Sequence, residues 1–123
     1  MSRTRLRQAC PIFPVKDLRA ALDHYASLGF AVRAYADGDD YGFIERDKVA
    51  MHLTARSDYY PDGTVSVAYL VVGDADQLAA EWNRDGIAGH TNPPVDTPWR
   101  MREGTHFDPD GNLLRFGSPL RRD

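Results

Sequence analysis

Two helix signatures in this chain share their first and last residues, and they recur at a fixed distance. DLRAALDHYASLG opens on Asp17 and closes on Gly29, while DADQLAAEWNRDG opens on Asp74 and closes on Gly86, 57 positions further on in both cases. Aspartate before a helix accepts the free amide hydrogens of its first turn, and glycine takes the left-handed conformation that ends one. In the first segment Leu18, Ala21, Leu22 and Tyr25 fall at helical spacing, and Leu28 extends the stripe. In the second, Leu78 and Trp82 share a face, and Asp74 with Gln77 has the form of a capping box. Trp82 is therefore expected in the core.

The flanks repeat as well. Strand-like runs QACPIFPV (8–15) and VSVAYLVV (65–72) precede the helices. Extended segments FAVRAY (30–35) and the weaker IAGHT (87–91) follow them. Each half then closes in a hairpin: YGFIERDKVAMHL (41–53), turning at Asp47-Lys48, and MREGTHFDPDGNLLRF (101–116), turning at Asp110-Gly111. Asp-Gly is a strong hairpin-turn signal. These turns lie 63 apart, so the second half carries about six extra residues, expected in a loop NPPVDTPW (92–99). Pro11 and Pro14 suggest that the first strand is an edge or irregular strand.

The pattern predicts an α+β fold of two βαβββ modules, 8–57 and 63–118, within a single domain spanning 1–123. Neither half easily buries both faces of a curved mixed sheet alone. Pairing them makes one core and leaves a concave, ligand-sized cavity.

Charge narrows the partners. A net charge of −3 argues against nucleic acid, which needs a concentrated basic field. Arg3, Arg5 and Arg7 at one end, and Arg121 and Arg122 at the other, read as solvated termini. The one cysteine, Cys10, allows no disulfide within the chain and suits a reducing compartment. No run approaches the ~18 apolar residues of a membrane span, and no apolar stretch follows the first arginines as in a secretory signal. A cytoplasmic protein without membrane partners is expected.

VKDLRAALDHYASLGF, DDYGFIERDKVAMHL, DADQLAAEW and FDPDGNLLRF together resemble the vicinal-oxygen-chelate superfamily of glyoxalases, extradiol dioxygenases and bleomycin-resistance proteins. The likeness covers the chain from about Pro11 to Phe116. Within the superfamily it is nearest to bleomycin-resistance proteins, through ERDKVAMHL and through Pro98-Trp99 before the penultimate strand. That resemblance implies a homodimer which sequesters a cationic glycopeptide with a flat bithiazole tail, in crevices between subunits and without chemistry.

Metalloenzymes of the superfamily place ligands at matching strand positions, which the resemblance and the repeat assign here to Cys10, His52, Val67 and Arg115. Valine cannot ligate, and arginine keeps a charge that repels a cation. No metal or other cofactor is therefore expected. His106 reads as a hydrogen-bonded structural residue, and His24 as facing outward or sideways on its helix. The acidic pair Asp108 and Asp110 does not follow an EF-hand loop, where glycine is sixth and a glutamate twelfth. It reads as a turn, with Asp108 binding backbone amides and Gly111 at positive φ.

Strand alternation turns Cys10, Ile12, Val67, Tyr69, His52 and Arg115 toward the concave face. Met51, Leu53, Leu114 and Phe116 then form the helix-side core. Tyr59, Tyr60, Trp99, Tyr41 and Phe43 are aromatic side chains that can stack on a flat ligand. Asp37, Asp39, Asp40, Glu45 and Asp47 make an acidic rim. The expected ligand-binding set is His52, Arg115, Trp99, Tyr59, Tyr60, Phe43, Tyr69 and Cys10. Against a cationic drug stand Arg115, Arg100 and Arg102, if they point inward. Two alternatives stay open. One is a metal-dependent glyoxalase- or dioxygenase-like enzyme in which Glu103 or His106 joins His52. The other is a binder of an unrelated anionic metabolite, anchored by Arg115.

Overall fold

A computed structural model describes residues 2–56 and 66–120. In the first module β1 (Ile12–Pro14), α1 (Leu18–Ser27), β2 (Ala31–Ala34), β3 (Tyr41–Arg46) and β4 (Val49–Thr54) follow one another. In the second come β5 (Val67–Val71), α2 (Ala75–Trp82), β6 (His90–Asp96), β7 (Met101–Phe107) and β8 (Leu113–Pro119). They form two four-stranded mixed sheets, ordered β1-β4-β3-β2 and β5-β8-β7-β6. In each, the first strand pairs parallel with the last, and the other pairings are antiparallel. This is the α+β fold of two βαβββ modules that the repeat predicts.

Both helices begin at the caps read from the sequence. Asp17 accepts from the Ala20 amide at 3.1 Å, and Asp74 from the Gln77 amide at 3.0 Å. Gly29 and Gly86 both take positive φ, +95° and +88°. Alternation also holds. Phe13, Met51, Leu53, Leu114 and Phe116 are buried beneath the helices, whereas Ile12, Val67 and Tyr69 are exposed on the opposite face.

The buried side chains of the two modules form one hydrophobic cluster, which includes Trp82. Polar bonds tie its edges. The Trp82 indole donates to the Leu28 carbonyl at 3.0 Å, joining the two helices. Asp108 sits under the second hairpin turn. One of its oxygens accepts the Asp110 and Asn112 amides, and the other accepts the Tyr25 hydroxyl of α1 at 2.8 Å. Gly111 has φ +86°. The acidic corner is thus both a turn and a bolt between modules. Burial, and then the Asp108 carboxylate, push the Tyr25 phenol far above its ordinary value.

Four readings need correction. Residues 92–96, taken as loop, belong to β6, because an edge strand tolerates Pro93 and Pro94 where its pairing with β7 slips between Asn92 and Val95. The run 8–15 yields only the three-residue β1, leaving Cys10 outside a strand. The second helix stops at Trp82, four residues before Gly86. His24 does not face outward: it is 6% exposed, packed against His106. Among the described residues no helix is long and apolar enough to cross a membrane.

Candidate functional site

The concave-facing residues gather into two clusters, one on each sheet. On the first sheet, β4 holds His52 between the buried Met51 and Leu53, so its ring projects the other way. β3 brings Phe43 directly opposite His52, and Tyr41 two residues along. The Tyr41 hydroxyl lies 2.8 Å from His52 Nδ1, and Phe43 packs edge-to-face on the imidazole with ring centres 5.0 Å apart. Arg33 covers one face of Phe43 at 4.2 Å. A hollow of about 250 Å³ lies here, lined by Cys10, His52, Phe43, Gln8, Arg33 and Glu45. Gln8 donates to the Cys10 sulfur at 2.9 Å.

On the second sheet, Tyr69 of β5 stands opposite Arg115 of β8, which in turn stands opposite Thr105 of β7. Beneath them lies Glu103, its side chain 4% exposed. Glu103 Oε2 accepts the Tyr69 hydroxyl and the Trp99 indole N–H, each at 2.7 Å. Oε1 accepts from Arg115 at 3.3 Å. Hydrogen bonds from Trp99 and Tyr69, then the Arg115 charge, hold the Glu103 carboxyl below its ordinary range despite burial. Burial and the bond to Glu103 push the Tyr69 phenol up.

Glu103 is the residue that sequence reasoning missed as an organiser, having entered only as a possible metal ligand. The signal was present in the register. Counting back from the Asp110-Gly111 turn sets Thr105 opposite Arg115 and Glu103 opposite Gly117, on the concave face.

Arg115, read from the sequence as a fixed positive charge on the concave face, is paired there with Glu103. Arg102, by contrast, does not point inward. It lies on the helix side of β7, bound to Asp76 and Asp96, both at 3.1 Å. In the acidic rim Asp39 is engaged by Arg19 at 3.2 Å, while Glu45 lines the first hollow. Tyr59 and Tyr60 fall outside the described residues.

These side chains do not suit the metal that some members of the superfamily use. Val67 and Arg115 are not ligands, Cys10 and His52 are two, and the Glu103 oxygens already serve three donors. His106 cannot join them, since it points to the helix side and bonds His24 and Thr91. Among the described residues no group of three or more His, Cys, Asp or Glu is placed to hold a metal ion.

Comparison with known proteins fixes the family. The chain belongs to the Glyoxalase/Bleomycin resistance protein/Dioxygenase superfamily, matching it over residues 7–116. No curated protein sequence matches it. Among solved structures it is similar to a bleomycin resistance determinant encoded on the transposon Tn5, with TM-score 0.76, 19% identity, and coverage of 93% of this chain and 98% of that one. It is similar to the bleomycin-binding protein from bleomycin-producing Streptomyces verticillus, complexed with copper(II)-bleomycin (TM-score 0.74, 23% identity, 98% and 100% covered). A glyoxalase-related enzyme from Clostridium phytofermentans superposes as well (TM-score 0.74, 20% identity, 95% and 98% covered). At these identities the likeness is one of fold, and the fold carries more than one function.

Proposed function

We propose that this protein binds and sequesters a flat, cationic small molecule of the bleomycin type without transforming it. One observation carries the reading. The exposed Trp99 and Tyr69 are anchored at the concave face, and the one arginine among them is balanced by Glu103. A stacking surface without net positive charge accepts a flat cation, whereas an unpaired Arg115 would repel it. The first cluster adds His52, Phe43 and Cys10, with Glu45 offsetting Arg33 so that this hollow too carries no net positive charge. Val67, Val71 and Phe107 remain exposed on the second sheet, and a second copy of the chain covering them makes the working unit a homodimer.

Calorimetric titration of the metal-stripped protein with metal-free bleomycin tests this, alongside a metal assay on the protein as purified. Saturable binding near one ligand per subunit is expected. Absence of saturable binding overturns sequestration; stoichiometric metal with turnover would replace it by the enzyme reading. Tight binding of a flat anion instead would favour the metabolite anchored by Arg115.

A further inference from the structure

The three donors on Glu103 come from separate parts of the second module: Tyr69 from β5, Trp99 from the β6–β7 turn, and Arg115 from β8. All three are substantially exposed, at 43%, 63% and 45%, while the acceptor beneath them is nearly sealed. A buried carboxylate is costly unless it is satisfied, and charge-assisted hydrogen bonds are the strong way to satisfy it. Each donor is therefore held by the requirement of the group below it.

The backbone makes room for this. Glu103 stands opposite Gly117 across β7 and β8. A side chain at Gly117 would run into the Tyr69 hydroxyl, with its Cβ 3.0 Å from Tyr69 Cζ and 3.1 Å from Glu103 Cγ. Tyr69 leans along its strand over the glycine to reach the carboxylate. At the other donor a tight turn sets the approach: Thr97 Oγ1 donates to the Met101 carbonyl at 2.9 Å, and Arg100 takes φ +66°. Trp99 is presented between them, with its indole nitrogen directed inward to Glu103 and the rest of the ring largely in solvent.

We propose that Glu103 is a positioning residue. From beneath the concave face its carboxylate fixes Trp99, Tyr69 and Arg115 in one arrangement before a ligand arrives, and it sets the charge preference of that face. The charge preference rests on the sequestration reading; the positioning does not. Preorganisation of this kind lowers the ordering that binding otherwise requires. Glu103→Gln keeps the size of the side chain but removes the negative charge, so the Arg115 cation is left uncompensated. The face then disfavours flat cations and gains affinity for flat anions.

The test uses the two indole N–H signals of the nitrogen-15-labelled full chain, assigned with Trp99→Phe. At pH 7 the Trp99 signal is expected downfield in the wild type and displaced upfield in Glu103→Gln, with the Trp82 signal unmoved as a control. Glu103→Gln is expected to bind metal-free bleomycin roughly tenfold more weakly than wild type, and 8-anilinonaphthalene-1-sulfonate more tightly. An unmoved Trp99 signal in folded Glu103→Gln overturns the positioning role. Unchanged preference between the two probes overturns the charge role. Wild type that binds no bleomycin, with the Trp99 signal still dependent on Glu103, supports positioning and removes sequestration. If Glu103→Gln does not fold, acid titration of the wild type decides. A Trp99 shift separate from Trp82, with a midpoint below that of an ordinary glutamate, supports the proposal, and its absence overturns it.

Discussion

His24 on α1 and His106 on β7 face each other Nε2 to Nε2 at 3.0 Å, across the boundary between the modules. One ring must donate and the other accept, so the contact excludes protonation of both rings at once. Thr91 Oγ1 lies 2.7 Å from the far nitrogen of His106. Burial, and then the neighbouring His24, lower the His106 pKa to about 4; burial also lowers that of His24.

The sign of the pH dependence follows. Between the ordinary value of 6.5 and about 4, the unfolded chain binds protons that the native His106 refuses. Stability is therefore intact above pH 6.5 and declines as pH falls through that window, by on the order of 3 kcal/mol for His106 alone. Asp110, whose carboxyl is raised by burial, works in the opposite sense at the acid end. Urea denaturation at intervals from pH 7.5 to 4.5 should show this slope, and His106→Asn should flatten it. Equal slopes in the two proteins would remove the pair as its cause.

The Asp108 corner makes a separate prediction. Its carboxylate receives the Asp110 and Asn112 amides at 2.9 Å each, the Tyr25 hydroxyl at 2.8 Å, and the Asn112 side chain at 3.1 Å. Asn112 in turn donates to the Pro14 carbonyl at 2.8 Å, so the turn also holds the first strand. Asp108→Ala strands several buried donors at once and should cost about 3–5 kcal/mol. Tyr25→Phe removes one bond and should cost about 1–2 kcal/mol. Denaturant midpoints at pH 7 read both. A loss for Asp108→Ala no larger than that for Tyr25→Phe would show that the corner is only a turn.

What the sequence made legible was local. Asp17 with Gly29 at the first helix, and Asp74 at the start of the second, announce helix ends through caps that need nothing beyond the next turn. The alternation of His52 with Met51 and Leu53 needs only the strand's period of two. Three of the misreadings turn on tertiary context. Pro93 and Pro94 argue against a strand unless it is known to lie at an edge and to carry a bulge. His24 looks solvent-facing until β7 brings His106 to it from 82 residues away. Glu103 looks like an ordinary polar residue of a hairpin, because its three donors converge only once β5, the β6–β7 turn and β8 are assembled.

The two tryptophans should part company under mutation. Trp82 is 3% exposed, and its indole bonds the Leu28 carbonyl. Trp82→Ala should destabilise the fold by about 3–5 kcal/mol. Trp99 is 63% exposed but gives one hydrogen bond to the buried Glu103, so Trp99→Ala should cost about 1–2 kcal/mol, well short of the loss for Trp82→Ala. Trp99→Ala should weaken bleomycin binding by roughly ten- to a hundredfold, as expected for an aromatic anchor. Calorimetry and thermal melts on the same samples separate the effects. Undiminished affinity in Trp99→Ala would take this ring out of the site.

Gly117 supplies the sharpest test of how the second cluster is built. A methyl group there meets the Tyr69 hydroxyl before anything else. Gly117→Ala should displace that hydroxyl from Glu103, and should cost about 1–3 kcal/mol by overpacking. The Tyr69→Phe change removes the obstructing oxygen but leaves Cζ at 3.0 Å from the new methyl, a contact that a small ring shift relieves. In the Tyr69→Phe background, Gly117→Ala should therefore be better tolerated than in wild type, with a coupling of about 1 kcal/mol or more. Four denaturation curves complete the cycle. Additive effects would mean that Gly117 is there for the backbone of β8 rather than for Tyr69, and the path of the phenol over the glycine would then need another explanation.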